Sequence, residues 1–200
     1  MKVAIVKYNA GNIYSVVNSL RRLGVEPLLT DDAEQIITAD RVLFPGQGEA
    51  RVAMTYLREH GLDTVIKNLR QPVLGICIGQ QLLCRHSEEN NTDCLGVFDV
   101  DVLRFRPVRH EDKVPAMGWN DLRNLKSPLF KGIESGNSHV YFVHSYYVPL
   151  SSFTIAETDY IQPYSAAINK DNFYATQFHP EKSGAVGAQI LKNFLEIDDK

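Results

Sequence analysis

A cysteine stands between two glycines in Gly75-Ile76-Cys77-Ile78-Gly79, where the apolar run Val73–Cys77 meets a segment of helical character. A reactive side chain at a tight strand-to-helix turn needs neighbours without Cβ atoms, and glycine supplies them. The helix start favours a thiolate and offers unpaired backbone N–H groups to a developing oxyanion. The pattern is that of a nucleophile elbow carrying a thiol. The competing reading is a small buried hydrophobe, which is what we expect of Cys84, two turns along the same predicted helix. Cys94, after the polar Asn90-Asn91-Thr92-Asp93, reads as a surface or half-buried thiol.

A cysteine nucleophile needs a base, and six histidines are available. His179 has the suggestive setting, Gln177-Phe178-His179-Pro180-Glu181: it follows a β-like segment, the proline stiffens the turn, and a carboxylate two residues on can orient the imidazole and stabilise its cation. The bland alternative is a capped turn entering the last helix. A metal site built from Cys, His and Glu is a second alternative, but no other histidine lies at ligand spacing from His179 and the glycines around Cys77 would go unexplained. No metal and no cofactor are expected. Pro45-Gly46-Gln47-Gly48 resembles a phosphate loop only loosely, lacking the Gly-Lys-Ser/Thr ending, and serves better as a glycine-rich strand end supplying further oxyanion N–H donors.

These residues need a scaffold of alternating strands and helices. Lys2–Val6, Val42–Phe44 and Val73–Cys77 read as buried parallel strands. After the first, Asn9-Ala10-Gly11 is turn-prone and Asn12 is a candidate N-cap for a helix through Ile13, Val16, Val17, Leu20 and Leu23, stopped by Gly24. A helix is expected from about Ala50 to Leu69, another from Gln80, and a last one through Val186, Ile190, Leu191, Phe194 and Leu195. Between Leu95 and Phe153 closely spaced β-like runs, among them Val100–Phe105 and Val140–Val148, suggest an antiparallel annex, and Tyr174–Phe178 is a further strand. The expected fold is α/β, a mostly parallel doubly wound sheet with flanking helices and a small antiparallel annex, with residues 1–200 forming one domain.

The 200 residues carry 21 basic and 24 acidic side chains, a net charge of −3, with 44% hydrophobic and 10% aromatic residues. That is enough apolar surface for a core. No Lys/Arg stripe is present to neutralise a phosphate backbone, so nucleic acid is not an expected partner. No segment approaches the ~20 apolar residues of a membrane span, and the start of the chain lacks a signal-peptide apolar region. Three cysteines without Cys-x-x-Cys spacing fit reduced thiols, and a cytoplasmic location is expected.

Pro45–Gly48, Gly75–Leu82 and Phe178–Ser183 stand in the order and rough spacing of the class I (triad) glutamine amidotransferases, which the chain resembles along its whole length. Gly11–Val16, Met117-Gly118-Trp119-Asn120, Phe142–Tyr147 and Gln177–Ser183 look most like the histidine-biosynthesis branch of that family. The resemblance implies that Cys77 attacks the carboxamide of glutamine, that His179 passes a proton to the departing ammonia, and that Glu181 holds His179. It implies oxyanion donors from Ile78 and from Gly46, Gln47 and Gly48, with Gln81, Ser145 and Tyr146 contacting glutamine. It further implies a heterodimer in which ammonia passes to a (β/α)8 cyclase subunit, with Asn12, Met117, Trp119, Asn120 and Lys182 at the interface. For Trp119, ordinary core packing is the equal alternative.

The chain departs from the family at Lys7–Asn12, where relatives usually carry an acidic residue and an extra glycine, and at Gln47, which replaces a common valine. The Pro-Gly-x-Gly strand in this family is thought to switch when the partner binds its ligand, so a polar side chain there is expected to shift the resting state. The other readings are a glutaminase subunit of another pathway, a non-catalytic module on the same fold, and a cysteine hydrolase or chaperone-like protein sharing the elbow. Met117–Asn120 speaks against the first, intact Cys77, His179 and Glu181 against the second, and Glu181 against the third.

Overall fold

The computed structural model describes residues 1–8, 11 and 13–197. Its first half holds β1 (Val3–Val6), α1 (Ile13–Arg22), β2 (Leu28–Thr30), α2 (Ala33–Ile37), β3 (Arg41–Gly46), α3 (Ala50–Glu59), α4 (Leu62–Lys67), β4 (Val73–Cys77), α5 (Ile78–Leu83), β5 (Cys84–Ser87) and β6 (Thr92–Asp93). There follow β7 (Phe98–Arg104), β8 (Ala116–Asp121), β9 (His139–His144), β10 (Tyr146–Tyr147), β11 (Thr154–Tyr160), β12 (Gln162–Lys170), β13 (Phe173–Thr176) and α6 (Gly184–Leu195), with 3₁₀ turns at Pro128–Phe130 and Pro180–Lys182.

β1, β3 and β4 are buried at every position, as strands covered on both faces must be. They belong to a seven-stranded sheet in the order β11-β12-β13-β4-β3-β1-β2. Strands β2, β1, β3, β4 and β13 are parallel, and β12 and β11 extend the sheet antiparallel at one edge. Alternate side chains feed two cores. Val3, Ile5, Leu43, Leu74 and Ile76 meet α1 and α6 on one face, while Ala4, Val6, Val42, Phe44 and Val73 meet α3, α4 and α5 on the other. The sheet is therefore doubly wound. Helix α1 buries Ile13, Val16, Val17 and Leu20, carries Arg21 and Arg22 in its last turn where its dipole favours cations, and stops before Gly24 at φ +80°. The candidate N-cap Asn12 and the turn residues Asn9 and Ala10 lie outside the described residues.

The structure corrects four of the expected elements. The single helix expected over 50–69 is two, because Gly61 adopts a left-handed conformation (φ 66°) that ends one and starts the other. The helix expected from Gln80 starts at Ile78 and lasts only to Leu83, so Cys84 opens β5 instead of lying on it. The annex begins earlier than Leu95 and is not purely antiparallel: β10-β7-β5-β6 form a mixed sheet in which β5 and β7 run parallel, beside an antiparallel ribbon of β8 and β9. The run expected at 140–148 divides at Ser145, where the chain leaves β8 to pair with β7. Among the described residues no helix is long and apolar enough to cross a membrane.

Candidate active site

β4 lies between β3 and β13, and the register aligns Cys77 with Gly46 on one side and Ile76 with Thr176 on the other. Three strand ends thus bring Pro45–Gly48, Cys77 and the segment 177–181 together at the carboxyl edge of the parallel sheet, where open α/β sheets bind their ligands. A cavity of about 420 Å³ opens there, with Cys77, Ile78, Gln47 and Gly48 in its wall.

Cys77 has φ 56° and ψ −107°, a backbone state costing on the order of 1–3 kcal/mol in a residue with a side chain. Space as well as conformation explains the flanking glycines. A Cβ on Gly79 would lie 1.8 Å from the Phe44 carbonyl oxygen, and one on Gly75 would lie 2.8 Å from Leu83 Cδ1. One on Gly46 would lie 2.1 Å from the Tyr8 hydroxyl. Among the described residues that buried hydroxyl has no hydrogen-bond partner, and burial, reinforced by Cys77, keeps the phenol protonated.

His179 is carried out of β13 in extended conformation and pinned there: its N–H donates to the Tyr141 carbonyl at 2.9 Å, and its carbonyl accepts from Ser183 Oγ at 2.6 Å. Nδ1–H donates to Glu181 Oε1 at 2.8 Å, with both side chains only 2% exposed. Nε2 is buried and, among the described residues, has no partner at strict hydrogen-bond geometry; the Cys77 sulfur acts on the ring through its charge and through a looser hydrogen bond. Burial disfavours the imidazolium, but the Cys77 sulfur and then Glu181 outweigh it and raise the His179 pKa to about 10. The cluster can hold a thiolate–imidazolium pair, a nucleophile beside a proton donor.

The remaining expected residues divide. Ile78, Gln81, Ser145, Tyr146 and Lys182 line the cavity. The Gln47 carbonyl accepts from Gly11 N–H at 3.1 Å, tying the Pro45–Gly48 turn to the loop after β1, and Gly48 has φ +140°, which suits glycine alone. Met117 and Trp119 are 66% and 57% exposed on β8, which removes core packing as the explanation of Trp119. Asn120 Nδ2 donates to the Asp159 carbonyl at 2.7 Å. Asn12 lies outside the described residues.

Sequence reasoning missed Glu89, which follows β5 and turns its carboxylate into the cavity wall, where Oε2 accepts from Ala50 N–H at 2.8 Å. Burial raises its pKa. Nothing in the polar stretch around it singles it out; only the fold of the annex brings it to Cys77. His144 was missed as well. Its Nδ1–H donates to the Tyr146 carbonyl at 2.7 Å, leaving Nε2 to accept from the Tyr164 hydroxyl at 3.1 Å, so the ring is neutral. Burial, helped by the His179 charge and opposed by the Tyr146 carbonyl, lowers its pKa to about 4. An unfolded histidine titrates near 6.5, so from there down to about 4 the unfolded chain binds the extra proton and stability falls with pH. Urea unfolding should show a His144 contribution of about 2 kcal/mol lost between about pH 7 and pH 4.5, absent in His144→Gln. Identical pH slopes in the two proteins would contradict it.

A family model described as glutamine amidotransferase class-I matches residues 4–197. The imidazole glycerol phosphate synthase subunit HisH of Bacteroides fragilis (strain YCH46) is 65% identical over 197 residues, covering 98% of this chain and 100% of the relative. Its counterpart in Escherichia coli (strain K12) is 46% identical over 199 residues, covering 98% and 100%. Among solved structures, a glutamine amidotransferase superposes with TM-score 0.75 at 20% identity, covering 98% of both chains. Another, from Thermotoga maritima, gives 0.64 at 18%, covering 98% of this chain and 81% of that one. At such identities the solved structures speak for the fold alone, but the match over nearly the whole length, together with two full-length relatives, decides membership. The chain belongs to the class-I glutamine amidotransferases.

Proposed function

We propose that this chain is the glutaminase subunit of an imidazole glycerol phosphate synthase and that residues 1–200 act as one amidotransferase domain. The observation that carries the reading is the meeting of Cys77 with the His179–Glu181 pair over a cavity at adjacent strand ends. Identity of 46–65% to synthase subunits over 98% of the chain supports the pathway.

In this reading the Cys77 thiolate adds to the carboxamide carbon of glutamine and the carbonyl electron pair moves to oxygen, received by backbone N–H groups of Ile78 and the Gly46–Gly48 turn. Collapse breaks the C–N bond, and the nitrogen leaves as ammonia with the proton of the His179 imidazolium. Neutral His179 then takes a proton from water as the water attacks the γ-glutamyl thioester. Glutamate departs, and the thiolate–imidazolium pair is restored. Glu181 keeps the proton on Nδ1 and the ring in place throughout.

Ser145, Tyr146 and Gln81 hold the glutamine, and Glu89 offers a carboxylate to its α-ammonium. Glu89→Gln should therefore raise KM roughly tenfold, the worth of a charged hydrogen bond, with a smaller change in kcat. An unchanged KM would remove Glu89 from the binding site. Ammonia passes to a (β/α)8 cyclase subunit, and exposed Met117 and Trp119, with Asn12, Asn120 and Lys182, form the contact with it. The setting is cytoplasmic.

The test is glutamate release from glutamine by the purified chain, alone and with the cyclase subunit plus its ribonucleotide ligand, with Cys77→Ala as control. Stimulation by the liganded cyclase that the control abolishes is the expected result. Activity indifferent to the cyclase would move the chain to another pathway, and no activity at all would favour a binding module.

A further inference from the structure

Behind Cys77 a chain of amides can be oriented atom by atom. The Tyr146 carbonyl can only accept, so the Gln81 atom 3.0 Å from it is Nε2. The same Nε2 lies 2.9 Å from the Gln177 amide, which must turn Oε1 toward it. Gln177 is left with one arrangement: its Nε2–H₂ group points at Cys77 Sγ, 3.8 Å away.

Gln177 is fully buried, and its backbone N–H is fixed to the Ala166 carbonyl at 2.8 Å. The chain bends at Gln177 and Phe178 and is extended at His179, and across this bend Phe178 enters the core while Gln177 Nε2 and the His179 ring both meet the Cys77 sulfur. One segment thus presents two groups to one sulfur. A donor this far from a neutral thiol contributes little. Toward a thiolate the same N–H makes a charge-assisted hydrogen bond, strengthened by the burial of the Gln177 amide.

We propose that Gln177 is a positioning residue of the cysteine site, whose Nε2–H donates to Cys77 and favours its thiolate, with Gln81 and the Tyr146 carbonyl holding the amide in that sense. Its effect on turnover rests on the glutaminase reading; its effect on the sulfur does not.

Two variants separate this role from mere filling of space. Gln177→Glu keeps an oxygen for Gln81 Nε2 but turns a carboxylate oxygen toward the sulfur, and Gln177→Met fills the volume without a donor. The rate of iodoacetamide alkylation at Cys77, read by mass spectrometry to separate it from Cys84 and Cys94, is followed against pH in the full chain. The other titratable groups around Cys77 are His179 and Glu181 after β13, Tyr8 after β1, Tyr141 and His144 on β9, Tyr146, Lys182 and Glu89, and all remain in both variants.

The alkylation midpoint should rise by about one pH unit or more in each variant, and kcat with the cyclase should fall roughly ten- to a hundredfold with KM nearly constant. Should Gln177→Glu fail to fold, Gln177→Met carries the measurement. Alkylation profiles superimposable on the wild type would overturn the proposal and leave Gln177 as a support for Gln81. A shifted midpoint in a chain that hydrolyses no glutamine under any condition would keep the donor and discard the glutaminase.

Discussion

Replacing His179 with asparagine should slow glutamine hydrolysis by roughly three to four orders of magnitude, the upper range for a group that transfers protons in the rate-limiting step. The size of the effect follows from His179 acting more than once. In the proposed mechanism it is the counter-ion of the Cys77 thiolate, then the acid for ammonia, then the base for water. Its pKa of about 10 means that the free chain keeps the imidazolium charged across neutral pH. Because the folded value lies above the usual one, the stability this histidine contributes is complete below about 6.5 and is lost only as the pH climbs through about 10. Glu181→Gln, which keeps the size of the side chain but removes the charge 2.8 Å from Nδ1, should cost less, roughly a hundredfold. The measurement is steady-state glutamate release with the partner present. A His179→Asn enzyme retaining a tenth of the wild-type rate would remove this residue from the mechanism.

Gly79→Ala should be the most destabilising single methyl in the chain's motif. The added carbon would lie 1.8 Å from the Phe44 carbonyl oxygen. That oxygen belongs to β3, which is held by β1 on one side and β4 on the other, so it cannot swing aside as a side-chain tip would. Relief requires α5 to lift off the sheet, and α5 starts at the thiol. A cost of about 3 kcal/mol or more is expected, near the top of the range for overpacking. At this chain length that lowers Tm by about 10 °C. Gly96→Ala is the informative comparison, since Gly96 has φ +71° with nothing within 4 Å of the added carbon. It should lose only the about 1–2 kcal/mol of a left-handed residue. Calorimetry on the two variants decides, and equal melting temperatures would mean that Gly79 is not there for room.

The parts of the fold that were legible in the sequence are those whose residues answer to one demand. β1, β3 and β4 are buried on both faces and read as unbroken apolar runs. The hairpin β11–β12 went unread because it sits at the sheet edge, with Glu157 and Asp159 on one strand and Gln162-Pro163 opening the other, the polar and proline-bearing chemistry that edge strands use. β2 escaped because three residues hold too little pattern. Cys84 was misplaced because Leu82 and Leu83 continue a helical spacing that the backbone abandons to pair β5 with β7.

The site divides in the same way. Cys77 with its glycines, and His179 with Pro180 and Glu181, carry their chemistry within a few consecutive residues. Glu89, Tyr8 and His144 acquire theirs only from what the fold sets beside them. Gln177 stood in the quoted motif, yet its contact with Cys77 depends on the pairing of β13 with β4 and on a carbonyl of Tyr146.

That pairing also sets the order in which the chain can mature. Synthesis runs from the amino end, so β4 and its thiol are made long before β13. Until Phe173–Thr176 emerges, the apolar strand that carries Cys77 has β3 on one side and an open row of backbone groups on the other, an invitation to strands of other molecules. The strand that closes this gap leads directly into His179 and Glu181. Sealing the sheet and bringing His179 and Glu181 to the sulfur are therefore a single event that waits for β13, and a chain cut short before Phe173 would expose a sticky strand edge with its thiol unpartnered by either residue.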